Sequence, residues 1–223
     1  YFTREVFDLF YPSYGDTYPM FNGAIGMTYE QAGHSTAGRA IITATGDTLT
    51  LHDRILHHLT TSLSTIEIAS KNAPQIVENF RNYYAESARQ PQGEYRAFVI
   101  REGNDPNKLN ALCELLDRHN IRYGRAGANT AGIKAYDYRT GNPATIDVQD
   151  KDLVISAYQP HAVLVQVLFE PEHHLSDSLT YDITAWALPY AFGLEAYALK
   201  QRLEPRRPFE RIEALKVRLA ASP

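Results

Sequence analysis

The sequence predicts an α/β fold built in two parts. Three observations carry this. Helix-period and strand-like segments alternate along the chain. The stretch ARQPQGE, residues 88–94, is polar and bears Pro and Gly between two periodic segments, so it reads as a linker. Finally, 44% of the 223 residues are hydrophobic and 22% charged, the balance of a chain that folds around a core. The expected boundaries are 1–90 for the first part, 91–205 for the second, and 206–223 for a charged, peripheral tail.

In the first part, Phe2, Val6, Leu9 and Phe10 stand at helical spacing and predict a short helix over 1–10. YPSYGDTYP, residues 11–19, carries two prolines, a glycine and three tyrosines, the composition of a loop. AIGMTYE (24–30) and RAIITAT (39–45) are short, apolar or β-branched and bounded by Gly, which predicts two strands. Leu51, Ile55, His58/Leu59, Leu63 and Ile66 then follow the helical period over 49–70. Asn72-Ala73-Pro74 breaks that helix, because proline is tolerated in a first turn but not mid-helix, and a second helix runs to about 88.

Beyond the linker, YRAFVI (95–100) predicts a strand. Residues 105–120 predict a helix with Asp105 as N-cap and Pro106 at its first position. RYGRA (122–126) begins another strand, and 134–148 a hairpin turning at Thr140-Gly141-Asn142. A strand at 153–158, a helix at 160–169 and a Tyr/Ala-rich end to about 199 complete an alternating unit.

Function is bounded first by exclusion. Lys and Arg number 22 against 26 Asp and Glu, a net charge of −4 that offers no basic footprint for nucleic acid. No apolar run reaches the roughly 18 residues of a membrane span. A single cysteine, Cys113, rules out an internal disulfide framework and a Cys-rich zinc module. The chain opens on Tyr1-Phe2-Thr3 without a charged-then-apolar leader, as a mature secreted protein or an excised fragment would, and the residues that follow favour the fragment.

Three features of the first 88 residues point further. Tyr11-Pro12-Ser13 is followed by Gly15-Asp16; GMTYE ends on Glu30, 14 residues after Asp16; and Gly38-Arg39 precedes a long helix. In this order and spacing the segment resembles the C-terminal part of the catalytic domain of zinc carboxypeptidases of the M14 family. The resemblance implies a hydrolase that cleaves C-terminal peptide bonds of a peptide substrate. It implies Glu30 as the general acid/base, and Tyr11 or Tyr14 as the substrate contact in a mobile loop. Tyr14 departs from the family pattern, in which many members carry Ser before the Gly-Asp. The chemistry suits these residue types: a carboxylate accepts and relays the proton of an activated water. The family binds zinc through a His-x-x-Glu pair and a distant His, yet none of the eight histidines here begins His-x-x-Glu. The expectation is therefore a fragment, inactive alone, whose zinc ligands precede Tyr1. The family's habits also imply a periplasmic or extracellular location. The alternative is a non-catalytic interaction module with a vestigial peptidase remnant.

Other constellations compete. Glu170, Glu172, His173, His174 and Asp177 form a local group of possible ligands, read here as solvated surface, and His52, His57 and His58 as helix-face residues. The β-α alternation after residue 94 is reminiscent of amidotransferase-like folds, where a nucleophile sits at a strand-to-helix elbow. Cys113 instead falls inside a helix among Leu109, Leu112 and Leu116, which predicts a small buried hydrophobe. Residues 177–199 set aromatic rings among small residues, for packing or as a groove, and resemble the C-terminal extensions of large bacterial M14-like peptidases. Gln159-Pro160 fits a turn of those extensions.

Overall fold

A computed structural model describes residues 11–30, 39–173 and 187–211 of the chain. The fold is α/β, with helices mixed among antiparallel sheets. The helix expected over 1–10 lies outside the described residues.

Capping chemistry starts the helices where the sequence places them. After the short α1 (Thr17–Met20), β1 (Ala40–Ile42) and β2 (Thr48–Thr50) pair antiparallel, turning through Gly46 at a φ of 88°. The helix α2 (Leu51–Lys71) begins at a capping box: Thr50 Oγ1 accepts from the Asp53 amide at 3.2 Å, and Asp53 Oδ2 accepts from the Thr50 amide at 2.9 Å. The Thr50 hydroxyl, which also donates to Asp53 Oδ2 at 2.6 Å, and then the Thr50 amide hold the Asp53 carboxyl below its ordinary range. Pro74 sits in the first turn of α3 (Ala73–Arg89).

One expected strand is absent. Residues 24–30 join no ladder. A strand needs a neighbour to satisfy its backbone, and this segment instead crosses the backbone of Asp16. A Cβ at Gly26 would lie 1.8 Å from the Asp16 carbonyl oxygen, so only glycine fits the crossing.

The second part is a six-stranded sheet. Its strands are β3 (Ala97–Ile100), β4 (Gly124–Arg125), β5 (Thr130–Asp137), β6 (Asn142–Val148), β7 (Leu153–Ser156) and β8 (Ala196–Leu199). They lie in the order β4-β7-β3-β8-β5-β6, and every pairing is antiparallel. Alternation along the chain therefore does not produce adjacent parallel strands here. Helix α4 (Pro106–Arg118) joins β3 to β4, but β7 inserts between them. Helix α5 (Ala162–Phe169) likewise joins β7 to β8 across β3. Leaving aside the β5–β6 hairpin, this is the split βαβ, ferredoxin-like arrangement, and the hairpin extends the sheet from the β8 edge.

Period-2 burial gives the sheet two apolar faces. Phe98 and Ile100 point into a core with Leu109, Leu112, Leu116, Leu153, Ile155, Leu164 and Phe169, under α4 and α5. Ala97 and Val99 point the other way, to Ile133, Ile146, Val148, Val154 and Leu199, where the long hairpin supplies much of the cover. Asp105 caps α4 as expected, its carboxylate accepting from the Asn107 amide at 2.8 Å and the Lys108 amide at 3.3 Å. The short helix α6 (Leu188–Phe192) ends at Gly193, left-handed at a φ of 59°.

The start of the charged tail is tied to the sheet. Arg125 and Arg207 form an isolated bridge, the Arg125 guanidinium sits 4.6 Å over the Phe209 ring, and Arg207 pairs with Asp150 at 3.0 Å. The expected boundary at 205 therefore falls within a packed segment, while residues 212–223 lie outside the described residues.

Candidate functional site

The loop at 11–17 is held by its own side chains. Thr17 is buried, and its hydroxyl donates to the Tyr11 carbonyl at 2.6 Å. The Tyr11 and Tyr14 rings meet edge to face, with centroids 5.3 Å apart. Asp16 then ties this loop to the segment carrying Glu30. Thr28 donates to the Asp16 carboxylate, and the backbones cross at Gly26. Beyond the crossing, the Tyr29 hydroxyl meets Thr65 of α2 at 2.5 Å. The structure thus joins the tyrosine loop and the glutamate segment through neighbours of the expected residues. Glu30 itself is exposed, on irregular chain rather than at a strand end. Tyr11 and Tyr14 are half-buried.

Sequence reasoning missed Asp16–Thr28 as a link and Gly26 as a crossing point. An isolated glycine inside a strand-like pattern was the available signal, because such a glycine marks a close backbone approach. It also missed Arg54, which is 6% exposed in α2, with Nε and Nη2 buried and without a hydrogen-bond partner among the described residues.

Among the described residues no group of three or more His, Cys, Asp or Glu side chains could hold a metal ion. Of the local cluster near 170, His174 and Asp177 lie outside the described residues. Cys113 is fully buried in the core under α4, and burial pushes its thiol up to about 11. It is no nucleophile at neutral pH, and it stands at no strand-to-helix elbow.

The C-terminal stretch supplies two open depressions. One, of about 410 Å³, is lined by Tyr138, Arg139, Tyr190 and Glu195. The other, of about 740 Å³, is lined by Arg122, Tyr123, Arg206, Arg207 and Phe209. Tyr190 meets the Tyr136 hydroxyl at 2.9 Å, and its own hydroxyl is held in the protonated form chiefly by burial. Neither depression includes Tyr11, Tyr14 or Glu30. Gln159, expected in a turn, is buried: its Oε1 accepts from the Arg122 amide at 2.7 Å, and its Nε2 donates to the carbonyls of Arg122 and Ser156.

No helix among the described residues is long and apolar enough to cross a membrane. Comparison with known proteins finds no matching family model, no matching curated protein and no matching solved structure.

Proposed function

We propose that residues 11–89 form part of the substrate-facing wall of a metallocarboxypeptidase-like hydrolase that removes C-terminal residues from a peptide substrate. The observation that carries this reading is the Asp16 junction, where Thr28 and Gly26 lock the tyrosine loop onto the segment ending at Glu30. In this reading Glu30 accepts a proton during hydrolysis, a task open to a carboxylate that the described fold leaves accessible. Tyr11, or Tyr14 packed against it, hydrogen-bonds the substrate. Zinc, which the resemblance implies, would be held by residues outside these 223, and no step is assigned to it.

The test compares the 223-residue chain with one extended by its natural upstream sequence, using a blocked dipeptide with a free C-terminus. The shorter chain should show no turnover. In the longer chain, Glu30→Gln should lower turnover by roughly 10²–10⁴-fold with metal content and melting temperature unchanged. Retained turnover in that variant removes Glu30 from the mechanism.

The outward apolar face of α2 favours a second reading, a non-catalytic interaction module. A longer chain lacking both metal and turnover would support it over the first.

A further inference from the structure

Arg54 is the one residue of α2 that the fold buries, and it is a poor residue to bury unpaired. Arginine keeps its charge in proteins, and a charge taken out of water needs a partner to offset the lost hydration. Yet Nε and Nη2 are both shut off from solvent without a hydrogen-bond partner among the described residues. These two nitrogens lie on one edge of the guanidinium plane, with their N–H groups side by side. That edge is the fork that grips two oxygens of a carboxylate or a phosphate.

The surrounding chain supplies no acid to fill the fork. Between residues 31 and 66 the sequence holds two carboxylates, Asp47 and Asp53, against two arginines and four histidines. Asp53 is committed to the capping box, where Oδ2 accepts from both the amide and the hydroxyl of Thr50. Asp47 is exposed in the β1–β2 turn and accepts from Thr45 at 2.9 Å. The next acid along α2, Glu67, is about 20 Å further up the helix and pairs with Lys71. His58, Thr61 and Thr65 share Arg54's side of α2 and are half-buried, but none carries negative charge. The two threonine hydroxyls donate to carbonyls of their own helix, at 2.8 and 2.9 Å. Helix α2 contributes no residue to either apolar core, and Asp53 and Ile55 on either side of Arg54 are half-buried and exposed. The fork therefore lies close below the surface, within reach of a small anion.

We infer that Arg54 is an oxyanion-binding site, whose Nε–Nη2 edge takes a small carboxylate or phosphate from solution as a bidentate pair. His58, one turn along the same side of α2, is the nearest further donor. The inference is independent of the hydrolase reading, and its test needs no activity. The 223-residue chain is titrated with inorganic phosphate and, separately, with acetate, at constant ionic strength in chloride. The Arg54 Nε–H cross-peak, identified by its absence in Arg54→Lys, should shift saturably, and the melting temperature should rise over the same concentrations. Saturation by phosphate alone, by acetate alone or by both supports the site and says which oxyanion it prefers. Arg54→Lys keeps the charge but loses the fork, so the midpoint of the melting response should move to roughly 10-fold higher anion concentration or more. Arg54→Leu should lose the response and, in chloride, melt no lower than the wild type, because it removes an unpaired buried charge. Arg81→Leu, at an exposed cation of α3, is the control and should respond as the wild type does. A wild-type chain that neither anion shifts saturably overturns the inference. So does a response that Arg54→Leu or Arg54→Lys retains in full, or that Arg81→Leu abolishes equally. An Arg54→Leu chain that melts well below the wild type in chloride, or fails to fold, would show Arg54 already paired within the protein, which also overturns it.

Discussion

In β3, all four residues are buried, alternately on the two faces of the sheet; in α2, which is five times as long, only Arg54 is buried. The contrast extends to the regions around them. Residues 95–211 supply the buried residues of two apolar cores, one under α4 and α5, onto which Tyr18 and Phe21 also pack, and one against the β5–β6 hairpin. Residues 11–89 are held mainly by polar links. These are the Thr17 and Asp16 bonds, the Tyr83 and Tyr84 hydroxyls donating to the carbonyls of Phe21 and Asn22 at 2.8 and 2.9 Å, and the capping box of α2. Individual hydrogen bonds contribute about 0.5–1.5 kcal/mol net, whereas a buried Leu or Phe contributes about 1.5–3 kcal/mol. The difference teaches where the buried apolar surface resides: residues 95–211 supply the buried residues of both cores, and residues 11–89 contribute only partly buried ones, such as Tyr18 and Phe21.

The largest expected effect tests the core side of this contrast. Cys113, buried among α4 leucines with its thiol pushed up to about 11, should react with iodoacetamide at least 10³-fold more slowly in the native protein than in denaturant. Next in size, Phe98→Ala should destabilise the chain by about 3–5 kcal/mol, read from denaturant midpoints, because it empties the contact with Phe169 whose ring centroid lies 5.2 Å away. Rapid native labelling, or a loss below about 1 kcal/mol, would remove the distinction between the regions.

How much of this was legible beforehand differs by element, for physical reasons. Helix α4 announces itself because three signals agree: a capping Asp105, Pro106 at the first position, and leucines at core spacing. Strand pairing was not legible, since periodicity reports which face a residue buries and says nothing of which strand lies beside it. For that reason an alternating α/β pattern fitted an all-antiparallel sheet equally well. AYAL at 196–199 gave too little β-branched character to mark β8, yet it lies between β3 and β5. At the candidate site, the residue types at Tyr11, Tyr14 and Glu30 suggested chemistry. The geometry that links their segments depends on a backbone crossing at Gly26; the lone glycine marks a close approach there but does not name Asp16 as what approaches.

The joint between the two regions offers a smaller, pH-dependent test. Tyr18 of the first region meets His119 Nδ1 at 2.8 Å, and Tyr84 packs edge to face on His161 with centroids 5.2 Å apart. Burial lowers the basicity of both imidazoles, and for His161 the neighbouring His119 and Arg122 add to it. A histidine whose folded pKa lies below its ordinary value of about 6.5 binds protons more readily when exposed. Stability at the joint is therefore complete above that value and falls as acid carries the solution down toward the folded pKa. Amide exchange at α3 and around Tyr18 should quicken between about pH 7 and pH 5 before exchange in β3 does. Equal acceleration in both places would mean that the regions open as one unit.

The smallest effect is expected where the comparison is sharpest. Ile68 lies on α2 and is 60% exposed. Truncation to Ala removes little buried area, and Ala also has a better intrinsic helix propensity than a β-branched residue by a few tenths of a kcal/mol. The two terms oppose each other, so Ile68→Ala should change the unfolding free energy by no more than about 0.5 kcal/mol in either direction. The same measurement that registers several kcal/mol for Phe98→Ala should barely move. A loss above about 1 kcal/mol would mean that this side of α2 is covered in solution, and that the first region closes a core of its own after all.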